Sequence, residues 1–199
     1  MGKIRQGTAI TAMQGQTVDK RLNFGDLLNQ KIDESLDDIR QLASLLKARK
    51  LTIATVESIT GGGIARKIVE TPGCSDYFLG AFVAYNARMK IQYSRVLPKT
   101  IADYGLISAP VTEEMAAGIK KMTQADITIA SNGIAGPIND TFSADQSGTV
   151  FLSWNIRDKI IKTKRFKLEG GRNEVIDKAV FVALSMCLNY LKNDLRKDV

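Results

Sequence analysis

The chain has 199 residues, 44% of them hydrophobic and 25% charged, which fits one well-buried globular domain and excludes wholesale disorder or a fibrous repeat. Its 28 Lys+Arg against 21 Asp+Glu give a formal charge of +7, which suits phosphate-bearing partners, but no aromatic platform interleaves the basic residues, so nucleic acid is not an expected partner. No apolar stretch reaches the length of a bilayer span and no charged-then-apolar leader opens the chain. Cys74 and Cys187 stand far apart in a chain without histidine, so the expectation is a cytoplasmic protein with no membrane segment and no metal site.

Residues 1–23 are polar and show no sustained period, which predicts a flexible arm ahead of a single domain over 24–199. From Phe24 the apolar positions Leu28, Ile32, Ile39, Leu42 and Leu46 recur at helical spacing opposite Asp33, Glu34, Asp37 and Asp38. That pattern predicts an amphipathic helix over 24–48 whose stripe packs on the following domain, with self-association as the other use of the same face.

An apolar run, Leu51 to Val56, predicts a strand that stops at Glu57-Ser58-Ile59-Thr60 and three glycines, Gly61 to Gly63. A serine in such a turn projects from a rigid element, and the glycines let a ligand approach backbone N–H groups that a helix start leaves unpaired. Ser58 either caps the helix or acts as a nucleophile. With no histidine in the chain a Ser-His-Asp triad is impossible, so a nucleophilic Ser58 needs another base, for which lysine is the candidate.

The helix continues through Ile64, Ala65, Ile68 and Val69 to a stop at Thr71-Pro72-Gly73. Tyr77 to Tyr85 reads as a short helical turn followed by a strand, and Ser108-Ala109-Pro110 as the cap of a helix to about Met122. A third strand, Asp126 to Ser131, ends in the glycine loop Asn132-Gly133-Ile134-Ala135-Gly136-Pro137. A polar loop, Ile138 to Ser147, leads to a hairpin of Gly148–Ile156 and Ile160–Leu168 around Arg157-Asp158-Lys159. Gly170-Gly171-Arg172-Asn173 then opens a broadly apolar last helix ending near Leu191.

Strands alternating with helices, plus one hairpin, predict an α/β fold: a three-layer α/β/α sandwich on a mixed sheet. Ligands of such sheets bind beyond the carboxyl ends of the strands. If the turns around Ser58, Asn132 and Arg172 converge there, the site holds a hydroxyl, backbone donors and a guanidinium suited to a phosphate or carboxylate. Arg172 paired with Glu169 or Glu174, Lys90 on a helix surface and Tyr85 in the core are the alternatives.

The order Glu-Ser-x-Thr-Gly-Gly (57–62), Tyr-x4-Lys (Tyr85 and Lys90), Gly-Ile-Ala-Gly-Pro (133–137), Gly-Thr-Val (148–150) and Gly-x-Arg before the last helix resembles the C-terminal domain of the competence/damage-inducible protein CinA, in its stand-alone form. The similarity spans about Leu45 to Leu191. The resemblance implies a nicotinamide-nucleotide amidase without an organic cofactor or metal, acting on a small-molecule nucleotide and assembling as a homo-oligomer. It implies Ser58 as nucleophile, Lys90 as base with Tyr85 nearby, and the backbone N–H groups of Thr60, Gly61 and Gly62 as oxyanion donors. Asn132 and Gly133 fall in the substrate-binding loop, and Arg172 falls on the nucleotide phosphate. The chain departs from the family pattern at Ile59 (Cys), Asn86-Ala87 (Ser-Asn), Asn132 (Ser or Thr) and Asp145-Gln146-Ser147 (Lys-Pro-Val).

Overall fold

The first apolar run beyond the opening helix forms strand β1 (Ile53–Glu57), buried along its whole length, in a computed structural model that describes residues 24–136, 146–158 and 160–195, with the side chains of 24–36, 160 and 195 excepted. Continuous burial on both faces requires strands on either side and helices above and below. The neighbours are β2 (Phe78–Val83) and β3 (Ile127–Gly133), both parallel to β1, and β4 (Thr149–Ile156) and β5 (Ile160–Lys167) follow antiparallel, in the order β2-β1-β3-β4-β5. The mixed five-stranded sheet and its hairpin agree with the predicted architecture. β1 runs one residue further than the sequence pattern indicates, so that Glu57 belongs to the strand.

Helices α1 (Phe24–Arg49), α2 (Gly63–Val69) and α6 (Arg172–Leu195) cover one face of the sheet. Ile39, Leu42 and Leu46 of α1 pack with Ile53, Ile127, Trp154, Leu184 and Leu188, so this part of the amphipathic stripe faces its own domain. The side chains of Leu28 and Ile32 lie outside the described residues, as do the arm 1–23, most of the polar loop including Asp145, the hairpin residue Lys159 and the last four residues. The second face carries α5 (Ala109–Thr123), whose Val111, Met115 and Ile119 pack against Ala54, Val56 and Ala130. Two further helices, α3 (Ala87–Ser94) and α4 (Pro98–Tyr104), precede it. Neither stands out in the hydrophobic pattern, because each is a two-turn segment whose start is set locally. Asn86 accepts the Met89 N–H at the head of α3, and Pro98 occupies the first turn of α4.

This topology makes a crevice at the carboxyl end of β1. The connection from β1 to β2 passes through α2 on one face, and the return to β3 passes through α3, α4 and α5 on the other. Close packing supports that return path: a Cβ on Gly118 of α5 would collide with the backbone carbonyl of Ser94 at the end of α3. Among the described residues no helix is long and apolar enough to cross a membrane.

Gly118→Ala tests the packing of α3 on α5. Because the obstacle is backbone rather than a flexible side chain, the variant should lose about 1–3 kcal/mol or more of stability in chemical denaturation. A change below about 0.5 kcal/mol would mean that α3 is not held in this position.

Candidate active site

Glu57 ends β1 as a fully buried carboxylate, and its surroundings supply donors on every side. It accepts hydrogen bonds from the Thr55 hydroxyl (3.0 Å), the Thr60 hydroxyl (2.6 Å) and the backbone N–H groups of Gly62 (2.9 Å), Ile64 (3.0 Å) and Ala65 (2.8 Å). The carboxylate thereby satisfies the N-terminus of α2 and complements its dipole. Thr60 Oγ also lies 2.6 Å from Ser131 Oγ of β3, and the Ser58 N–H donates to the Ser131 carbonyl (2.9 Å). The turn from Glu57 to Gly62 is thus tied to both the helix it launches and the neighbouring strand. Gly61 and Gly62 adopt positive φ, 58° and 102°, which the turn needs and which side chains would strain.

Held in that turn, Ser58 Oγ lies 2.7 Å from Lys90 Nζ. Lys90 is wholly buried, reaching from α3, and its Nζ also donates to the Ala84 carbonyl (2.7 Å). Burial pulls the lysine pKa down to about 8, since the charged form loses its hydration there. Near neutral pH an appreciable fraction of Lys90 is therefore a free amine, able to accept the Ser58 proton along the contact that its ammonium form uses to donate. The cause is burial, not a neighbouring positive charge.

Ser58 opens into a cleft of about 220 Å³ bounded by Ile59, by Leu106 and Ile107 of the turn between α4 and α5, and by the Gly133–Gly136 segment after β3. Tyr85 and Arg172 line it as well. Arg172, the first residue of α6, donates to the Gly136 carbonyl (2.6 Å) and to the Tyr85 hydroxyl (3.3 Å). The exposed guanidinium therefore bridges the ends of two strands. Gly133 is needed for backbone approach, because a Cβ there would meet the Thr149 carbonyl and come within 2.9 Å of Val150 Cα.

Of the residues singled out in the sequence, Ser58, Tyr85, Gly133 and Arg172 line this cleft and Lys90 stands behind Ser58. Tyr85 is exposed and turned to Arg172, not buried in the core. Two of the three expected oxyanion donors need revision. The Gly61 N–H donates to the Ser58 carbonyl (3.2 Å) and that of Gly62 to Glu57, so neither is free, while the Thr60 hydroxyl serves the Glu57 network. Among the described residues the backbone N–H groups left without an acceptor in this turn are those of Ile59 and Thr60. Asn132 does not line the cleft; it is buried, with its amide donating to the Leu106 carbonyl (2.9 Å). Glu57, Leu106 and Ile107 escaped the sequence reading. A lone carboxylate closing an apolar strand just before a glycine turn was the available signal for Glu57, whereas nothing local marks the α4–α5 turn.

Comparison with known proteins follows the same outline. The family model described as the CinA C-terminal domain matches residues 36–191. The CinA-like protein of Thermotoga neapolitana is 36% identical over 168 residues, covering 84% of this chain and 40% of that protein. The CinA-like protein of Geobacter sp. is 35% identical over 184 residues, covering 92% and 44%. The chain thus spans about two fifths of the length of these curated relatives. Among solved structures, the competence or damage-inducible protein from Enterobacter asburiae superposes with a TM-score of 0.74 at 32% identity, covering 79% of this chain and 98% of that one. The CinA superfamily protein from Enterobacter cloacae gives 0.75 at 28%, covering 91% and 99%.

The depressed lysine pKa has a measurable consequence for stability. The folded value, about 8, lies below the ~10.4 of an unfolded lysine, so between these pH values the unfolded chain binds more protons and raising the pH stabilises the fold. Below pH 8 the penalty is fully present, on the order of 3 kcal/mol. Lys90→Met removes it, so wild type should gain on the variant by a few kcal/mol between pH 7 and 10.5 in parallel denaturation series. Parallel curves would show that Lys90 keeps an ordinary pKa.

Proposed function

The chain belongs to the CinA C-terminal domain family, and from that premise we propose that it hydrolyses the carboxamide of nicotinamide mononucleotide, releasing nicotinate mononucleotide and ammonia. The observation that carries this reading is the buried Ser58–Lys90 pair, 2.7 Å apart at one end of a cleft that has Arg172 among its walls. A nucleophile beside a base of lowered pKa suits acyl transfer, and the apolar walls from Ile59, Leu106 and Ile107 suit a flat aromatic ring.

Neutral Lys90 takes the hydroxyl proton as Ser58 Oγ adds to the amide carbonyl. The negative charge that forms on the carbonyl oxygen falls to the Ile59 and Thr60 N–H groups, each such donor being typically worth ~100- to 1,000-fold in rate. The Lys90 ammonium returns its proton to the departing nitrogen, so the C–N bond breaks with release of ammonia and leaves an ester on Ser58. Water then adds to the ester as Lys90 takes its proton, and the Ser58–acyl bond breaks with that proton restored to Oγ. Arg172 holds the nucleotide phosphate in place of its present partners, the Gly136 carbonyl and the Tyr85 hydroxyl.

Ammonia release from nicotinamide mononucleotide tests the reading, with free nicotinamide as the phosphate-free control. Wild type should act on the nucleotide with kcat/KM rising with pH to a plateau above about 8, where Lys90 is neutral. Ser58→Ala should lower the rate by at least ~1,000-fold, and Arg172→Ala should raise KM more than it lowers kcat. Full activity in Ser58→Ala, or equal rates with free nicotinamide, would refute the assignment. Silence of the folded wild type would favour a relative that has kept the fold and lost the chemistry.

A further inference from the structure

Asn132 is wholly buried at the end of β3, and the donor half of its amide is committed to the Leu106 carbonyl at 2.9 Å. Among the described residues its acceptor, Oδ1, has no partner, and neither does the buried Thr149 hydroxyl of the adjacent strand. The carbonyl of Leu106 decides which end of the amide carries hydrogen, so the orientation follows from the network. An unsatisfied buried acceptor is unfavourable.

The amide does have an effect on the cleft. The turn from Gly105 to Ser108 closes on itself through the Ser108 hydroxyl, which donates to the Gly105 carbonyl (2.9 Å). Asn132 supplies a side-chain hydrogen bond that ties this turn to the sheet, and Leu106 and Ile107 of the turn line the same cleft as Gly133–Gly136. The donor nitrogen of an asparagine stands one covalent bond, up to ~1.3 Å, further from Cα than a serine or threonine hydroxyl. A hydroxyl here keeps the bond only if the wall moves toward β3, or else releases the wall.

We infer that Asn132 is a specificity-setting positioning residue: through Leu106 it props the Leu106–Ile107 wall outward and widens the slot that receives the ring of the substrate. The inference rests on the amidase reading and deepens it, predicting that this protein accepts a pyridine carboxamide nucleotide bearing an extra ring substituent. Asn132 touches no reacting atom and acts only through the wall.

The test compares wild type with Asn132→Ser on nicotinamide mononucleotide and on its ring-methylated analogue. Binding of the two matching acid products is measured by calorimetry, which requires no turnover. Wild type should treat the pair within a few-fold, and Asn132→Ser should disfavour the methylated member by ~10-fold more, both in kcat/KM and in Kd. Asn132→Ser combined with Ile107→Ala should bring the ratio back toward wild type, an outcome that general destabilisation does not produce. If Asn132→Ser fails to fold, Asn132→Thr supplies the same hydroxyl reach. Binding of both products with an unchanged ratio would overturn the inference alone, whereas absence of binding of either product to wild type would overturn the nucleotide reading and the inference with it.

Discussion

Everything about this site depends on one buried carboxylate. Glu57 is surrounded by five donors, two hydroxyls and three backbone N–H groups, and among them are the free N–H groups at the head of α2. A charge at a fully buried position is tolerable only when it is paired or heavily hydrogen-bonded, and here the helix N-terminus does the pairing. The same contacts fix the conformation of the residues between strand and helix, so Ser58 is aimed by the arrangement that neutralises Glu57. A glycine-rich helix start would ordinarily be the place to seek a bound phosphate. In this protein that terminus is already filled by a carboxylate from its own chain, and Arg172 is the cation among the described residues that line the cleft.

Burial works in two directions a few ångströms apart. It forces Glu57 to collect donors, and it strips hydration from Lys90 so that the amine is available as a base near neutral pH. Among the described residues Lys90 Nζ donates to the Ala84 carbonyl and Ser58 Oγ, and neither carries a full charge to hold its proton. A carboxylate in that role would raise the lysine pKa and remove the base. The fold keeps the acid on the α2 side of β1 and draws the lysine from α3, on the other side of the sheet.

Much of the architecture was legible in the pattern of residues. The continuous apolar character of Ile53 to Val56, the alternation of strands with helices and the short Arg157-Asp158 link mark a mixed sheet because burial on one or two faces leaves distinct periods. Ser58 was legible as a residue of interest, but its use, as helix cap or nucleophile, was not; Gly62, not Ser58, heads α2, and the Ser58 hydroxyl meets Lys90 Nζ instead. Helices α3 and α4 were not legible, because a two-turn helix has too few positions to display a stripe and its start depends on single capping residues. Gly61 and Gly62 were poor choices as candidate oxyanion donors for a related reason: glycines advertise backbone freedom but not which N–H groups are already taken, and that depends on where the Glu57 side chain turns. The role of Asn132 was hidden by distance, as its partner Leu106 lies 26 residues away on a turn with no signature of its own.

The central claim is that Ser58 is a nucleophile activated by a buried lysine of lowered pKa, and it can be tested without knowing the substrate. Covalent labelling of the intact protein by a fluorophosphonate should place a single adduct on Ser58. Its rate should climb with pH to a plateau above about 8 and collapse in a folded Lys90→Met variant. Labelling that is independent of pH, that survives in Lys90→Met, or that lands on another residue would contradict the account.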